Sequence, residues 1–213
     1  MCFSATASFA AGAALCAAGI ATLRMTSRRA EIALAAIPLL FGVQQFTEGM
    51  VWLSFRDESS LPNAALTFVF SLFSHVLWPI FIPVAVGLLE TVPWRRKVIA
   101  ACLIAGTAVG LYLLYLIVRF PVTSRGLEGH IAYDSPHFYV VEVVAVYLIA
   151  TCASSLFSSS RVIQVFGALS LATFVAAYAI HAATFFSVWC FFAAILSFIV
   201  YHYFRQARSG ALT

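Results

Sequence analysis

Apolar runs about as long as a bilayer is thick follow one another along the whole chain, and short links between them hold most of the arginines. A helix needs about 20 apolar residues to cross a hydrocarbon core of about 30 Å. A chain made of such runs can satisfy its backbone in lipid only as a helical bundle. Composition agrees: 63% of the residues are hydrophobic and 9% charged, with a mean hydropathy of +0.99, against about 25% charged in soluble domains. The 213 residues are nearly used up by the runs. The net charge of +4 comes from arginines in the links and needs no nucleic-acid partner to explain it. The partner implied is the lipid bilayer.

The pattern predicts an all-α, polytopic membrane protein forming one domain over residues 1–213, with seven spans at about 2–23, 32–55, 62–89, 98–118, 136–156, 162–184 and 186–204. The first span has its charges after it, at Arg24, Arg28 and Arg29, which is the reverse of a cleaved signal peptide. Pro79 and Pro83 predict a kink in the third span, and Gly106 and Gly110 predict a close helix approach in the fourth. Nine basic residues fall on one set of links (Arg24, Arg28, Arg29, Arg95, Arg96, Lys97, Arg161, Arg205, Arg208) and three on the other (Arg56, Arg119, Arg125). The positive-inside rule then puts the N-terminus outside and the C-terminus in the cytoplasm.

Four stretches, MCFSATASF at the start, GVQQFTEGMVW, GHIAYDSPH and SVWCFFAA, carry a resemblance that covers essentially the whole chain. The chain resembles a family of small bacterial multipass membrane proteins known as a domain of unknown function. The resemblance implies a bacterial membrane location and one multispan unit, and it supplies no activity.

The candidate site comes from polar residues at membrane depth, where an ionisable group is expensive and marks function by default. At about 1.5 Å per residue, Glu48 lies roughly 10 Å, Glu142 roughly 9 Å and Cys190 roughly 8 Å below the outer ends of their spans. Gln44, Gln45 and His75 lie about a turn deeper. Gln45, Glu48 and Trp52 make one stripe, and Ser71, Ser74, His75 and Trp78 make another, so the two are expected to face each other. Glu48 and His75 are the candidates for proton chemistry or catalysis; Gln44, Gln45, Glu142, Trp52, Trp78 and Cys190 are the candidates for ligand binding. For each, the plain alternative is a hydrogen-bonded structural group that holds helices together.

The link from Arg119 to Ser135 is the longest, and is expected to be a polar lid over the helix ends. His130 in it, His137 just beyond and His181 at the outer rim are the candidate metal ligands. Cys2 and Cys190 could pair on the oxidising face. Zinc or haem fits these residue types, whereas a retinal pigment is excluded because Lys97, the only lysine, sits at a cytoplasmic helix end.

Three function classes follow. A pocket open to the extracytoplasmic side could bind or process a small ligand, a lipid or a metal. Glu48, Glu142 and His75 could instead form a proton path in a transporter, against which stands the lack of inverted repeats or paired broken helices. A zinc-dependent intramembrane hydrolase is the third, resembling the alkaline ceramidase and adiponectin-receptor group; that group's last helix presents two histidines four apart, where this chain has His202 alone.

Overall fold

The computed structural model describes residues 4–55, 60–127, 129–135, 140–180 and 184–208. Cys2, His137 and His181 lie outside them. Six helices are long and apolar enough to cross a membrane: α1 Ala5–Met25, α2 Arg29–Ser54, α3 Pro62–Leu89, α4 Pro93–Arg119, α6 Arg161–Ile180 and α7 Phe185–Arg208. That marks a membrane protein. The helix between α4 and α6, α5 Val141–Leu156, is shorter.

The link expected to be a polar lid has a defined secondary structure. The link after α4 folds as an antiparallel hairpin, β1 Thr123–Leu127 with β2 His130–Asp134, paired from Thr123↔Asp134 to Leu127↔His130. Gly129 takes φ 76° in its turn, a conformation glycine adopts without cost. The hairpin is docked rather than draped. Ile131, Ala132 and Tyr133 are buried, and Tyr133 stacks on Phe70 of α3 at 4.3 Å. Ser124 Oγ meets Thr67 at 2.7 Å and donates to Asn63 at 3.1 Å, and Asn63 in turn donates to Ser54 Oγ at 2.9 Å. With β1 largely exposed and β2 largely buried, the hairpin closes one end of the bundle.

The opposite end is tied by Glu90, just after α3. Its carboxylate accepts from Val92 N–H at 2.8 Å, from Ser159 N–H at 2.6 Å and from Ser159 Oγ at 2.7 Å, while Arg95 donates to the Ser158 carbonyl at 2.7 Å. The α3–α4 and α5–α6 links therefore share one end of the molecule. Burial acts to raise the Glu90 pKa, but the hydrogen bonds from Ser159, Val92 and Thr91 outweigh it and the value is lowered. The carboxylate's contribution to stability is then whole above its ordinary value of 4.5 and is lost as pH falls through the lowered one. The difference in melting temperature between wild type and Glu90→Gln should be constant above that pH and close below it. A difference that widens on acidification would contradict this assignment.

Small residues set how closely helices approach. Gly12 of α1 meets Gly42 of α2, while Gly19 lies against Leu39 and Gly49 against Phe9; an added Cβ would come to 2.4 Å from Leu39 N at Gly19 and 2.6 Å from Cys16 Sγ at Gly42. The predicted contact at Gly106 and Gly110 is also present. Gly106 lies against the Pro79 carbonyl, and Gly110 against Val76 and Ile80.

The kink expected in α3 has a specific form: residues Leu72–Leu77 make a π-helical segment just before Pro79. Trp78 N–H reaches back five residues to Phe73 O, so it does not serve the Ser74 carbonyl four residues back. The next donor in line, Pro79, has no N–H. The Tyr147 hydroxyl of α5 donates to Ser74 O instead. A second π segment, Ile149–Ala153 in α5, behaves alike: Ser154 N–H bonds Ile149 O, and Ser154 Oγ bonds Ala150 O at 2.6 Å. π-Helical turns occur often at functional sites.

Candidate functional site

Along α2, Phe41 belongs to one apolar cluster and Val51 to another, with Gln44, Gln45 and Glu48 between them. Along α3, Phe70 and Trp78 belong to those same two clusters, with Ser71, Ser74 and His75 between. The polar side chains thus form a belt across the bundle, sandwiched by apolar packing. Gln44, Gln45 and Glu48 are 0% exposed and His75 1%. An outward-opening pocket at these residues is therefore corrected to an enclosed polar centre, because the hairpin and the aromatic cluster beneath it cover that side.

Glu48 lies at the middle of the belt. One carboxylate oxygen accepts from Ser187 Oγ of α7 at 2.7 Å, and the other from Gln45 Nε2 at 3.3 Å. Gln44 Oε1 accepts from Trp78 Nε1 at 2.7 Å, which pins α2 to α3. Cys190 adjoins both Glu48 and Gln44, as expected from its depth, and it is a free thiol. His75 Nδ1 lies 2.7 Å from Ser74 Oγ, and its ring packs on Phe186 at 4.5 Å. Gln45 Oε1, in the belt, has no hydrogen-bond partner among the described residues.

Beside Cys190 is a cavity of about 30 Å³ lined by Trp78, Tyr147, Thr151, Cys152, Ser170 and Cys190, among others. That is room for one or two water molecules and too little for an organic substrate. Ser74 and His75 are at the distance of a nucleophile and its base, but neither lines this cavity.

Other expected site residues are elsewhere. Glu142 is exposed at the start of α5, so it is removed from the site. The buried face of that helix carries Tyr147, Ala150, Thr151 and Ser154, and at 3.6 residues per turn Glu142, five positions before Tyr147, points well away from it. Trp52 is half-buried near the hairpin, beside Phe55 and Gly126. His130 is buried in β2 at 7% exposure. Asp134 is exposed and pairs with Arg125 at 3.3 Å. No cluster of three or more His, Cys, Asp or Glu that could hold a metal is found among the described residues. His137 and His181 fall outside that set, so the proposed metal ligands are not brought together here.

Ser187 and Tyr147 were not singled out from the sequence. Ser187 stands three residues before Cys190, on the same helix face, and that spacing was the available signal. Tyr147 had none, because the carbonyl it serves is freed by a change of helical register in another helix.

The fold and this centre define a class: a bundle with six membrane-length apolar helices whose interior carries a carboxyl group in a polar belt. The chain belongs to the family described as a family of unknown function (DUF6629), which it matches over residues 1–212. No curated protein and no solved structure matches it.

Proposed function

We propose that this protein is a seven-pass protein of the bacterial cytoplasmic membrane, a proton-coupled carrier in an occluded state in which Glu48 takes up and releases the proton. The observation that carries this is the Gln45 amide beside the Glu48 carboxyl. Its Nε2 donates to an ionised Glu48, and a half-turn of the amide would offer the unpartnered Oε1 to a protonated one. The two orientations of an amide differ only by exchange of O and N. Both protonation states thus find a partner with little movement, as a group that cycles between them requires.

The helix interruptions add support. Discontinuous helices at membrane depth are the elements that carriers move around a central site. The π segments of α3 and α5, joined by the Tyr147–Ser74 bond, are local interruptions of that kind.

Seven crossings are supported by the end-to-end pairing of the links. The hairpin is bonded to the α2–α3 end, and the α5–α6 link to the α3–α4 end, so α5 runs the depth that α4 runs. Its 16 residues span about 24 Å, which local bilayer thinning accommodates. The nine-to-three arginine and lysine bias supports a cytoplasmic C-terminus. A reporter fused after Thr213 should be active only if it works in the cytoplasm; an active periplasmic reporter would reverse the orientation.

The function is tested by reconstituting the purified protein into vesicles that contain a pH-sensitive dye and imposing a pH gradient. Proton entry should exceed that of protein-free vesicles. Equal rates would remove the carrier reading.

A further inference from the structure

The ends of α1 and α7 and the start of α2 enclose a groove of about 420 Å³ that no part of the belt reaches. Arg24, Arg28 and Arg208 line it, and Tyr203 and Phe204 belong to its wall. All three arginines are exposed. The one carboxylate in the groove, Glu31, is already engaged. It accepts from Arg28 Nε at 2.8 Å, from Ser27 N–H at 2.8 Å and from Arg28 N–H at 3.2 Å, so it closes the α1–α2 turn. Three guanidinium groups against one committed carboxylate leave the groove cationic. Arg24 and Arg208 have no ion pair among the described residues.

Position narrows what such a groove can take. It begins where the apolar helix α1 ends at Met25 and where α7 turns from apolar to basic, which is the depth of lipid headgroups. Guanidinium is the side chain best matched to phosphate, through paired N–H donors in one plane. Basic pockets between membrane helices at the cytoplasmic face hold phosphate headgroups. The Tyr203 side chain, close to Arg28 and Glu31, brings an apolar ring with a polar tip suited to that boundary.

We infer that this groove is a binding site for a phosphate group, held by Arg24 and Arg208 with Arg28 beside them and supplied by an anionic phospholipid or by free phosphate. It does not depend on proton movement, and its test reads lipid retention rather than flux, so the two can fail separately.

The purified protein is titrated with phosphatidic acid, with phosphatidylcholine and with inorganic phosphate, and bound species are counted by native mass spectrometry. Wild type should retain phosphatidic acid over phosphatidylcholine. The double variant Arg24→Gln/Arg208→Gln, which leaves the Arg28–Glu31 pair intact, should bind phosphatidic acid about 30-fold more weakly with an unchanged melting temperature. Arg96→Gln/Lys97→Gln removes the same charge from a different link and should change binding by less than about threefold. Displacement of the lipid by inorganic phosphate would assign the free ion as an occupant, and retention in its presence would assign the lipid. Equal weakening by the two pairs would mean a diffuse basic surface and overturn the site, as would equal retention of the two lipids with no binding of phosphate.

Discussion

Glu48→Gln protein is expected to fold, to be recovered at wild-type yield and to move protons no faster than protein-free vesicles. The amide keeps the length and shape of the carboxyl. Its oxygen can still accept from Ser187 Oγ, and its NH₂ can donate to Gln45 Oε1, which has no partner among the described residues of the wild-type protein. The fold therefore loses little, while the one change that matters is that an amide does not exchange a proton in the working pH range. Glu48→Ala separates structure from chemistry. It strips the acceptor from both Ser187 and Gln45 in the interior, at a cost of about 1–3 kcal/mol for each group left unsatisfied. Stable but inactive Gln with unstable Ala is the expected pair of results, read as dye response and melting temperature on the same preparations. Wild-type proton movement by Glu48→Gln would make the carboxyl a structural hydrogen-bond acceptor.

Gly106→Ala should be the most damaging single-methyl change in the chain. The added Cβ would stand 1.9 Å from the Pro79 carbonyl oxygen and 2.9 Å from Ala150 Cβ. Neither can swing away as the tip of a long side chain would. Pro79 lies between a π segment and Pro83, whose missing N–H leaves the Pro79 carbonyl without its helical donor. That carbonyl is free to point at α4, and only a residue without Cβ lets the two backbones approach so closely. Ordinary overpacking costs about 1–3 kcal/mol, and this contact exceeds it because backbone must move. Gly87→Ala is the control, since its Cβ would meet a single flexible atom, Ile99 Cγ2, at 3.2 Å. By size-exclusion profile and melting temperature, the Gly106 variant should fail to give folded protein and the Gly87 variant should match wild type. Equal behaviour of the two would show that α3 and α4 are not packed through Gly106.

Glu48 and Cys190 were readable as sharing one depth, with Gln44, Gln45 and His75 about a turn deeper, because depth along a membrane helix is a count of residues and needs no partner. Which of them touch was not readable. Glu48 meets Gln45 of its own stripe, and its other oxygen accepts from Ser187, 139 residues away in the chain. Glu142 was expected at the depth of Glu48, but depth says nothing of rotation about the helix axis, and its side chain is exposed. The link after α4 read as a polar lid because of its length. No alternation marks β2 in the sequence, since His130 to Tyr133 are all buried, and the strand is held where Phe70 offers Tyr133 a surface.

The sequence by itself determined that the chain is a membrane bundle, where most of its helices run, which links are basic and which polar residues lie deep, because a bilayer imposes length and hydropathy on each segment separately. Tertiary structure alone decided that the polar belt is enclosed, that α3 and α5 shift to π register, and that Ser187 and Tyr147 complete the centre. Each of those depends on groups that must satisfy one another across helices: a carbonyl freed by proline, a carboxyl that needs donors in a medium without water, and glycines whose value lies in what the neighbouring helix brings against them.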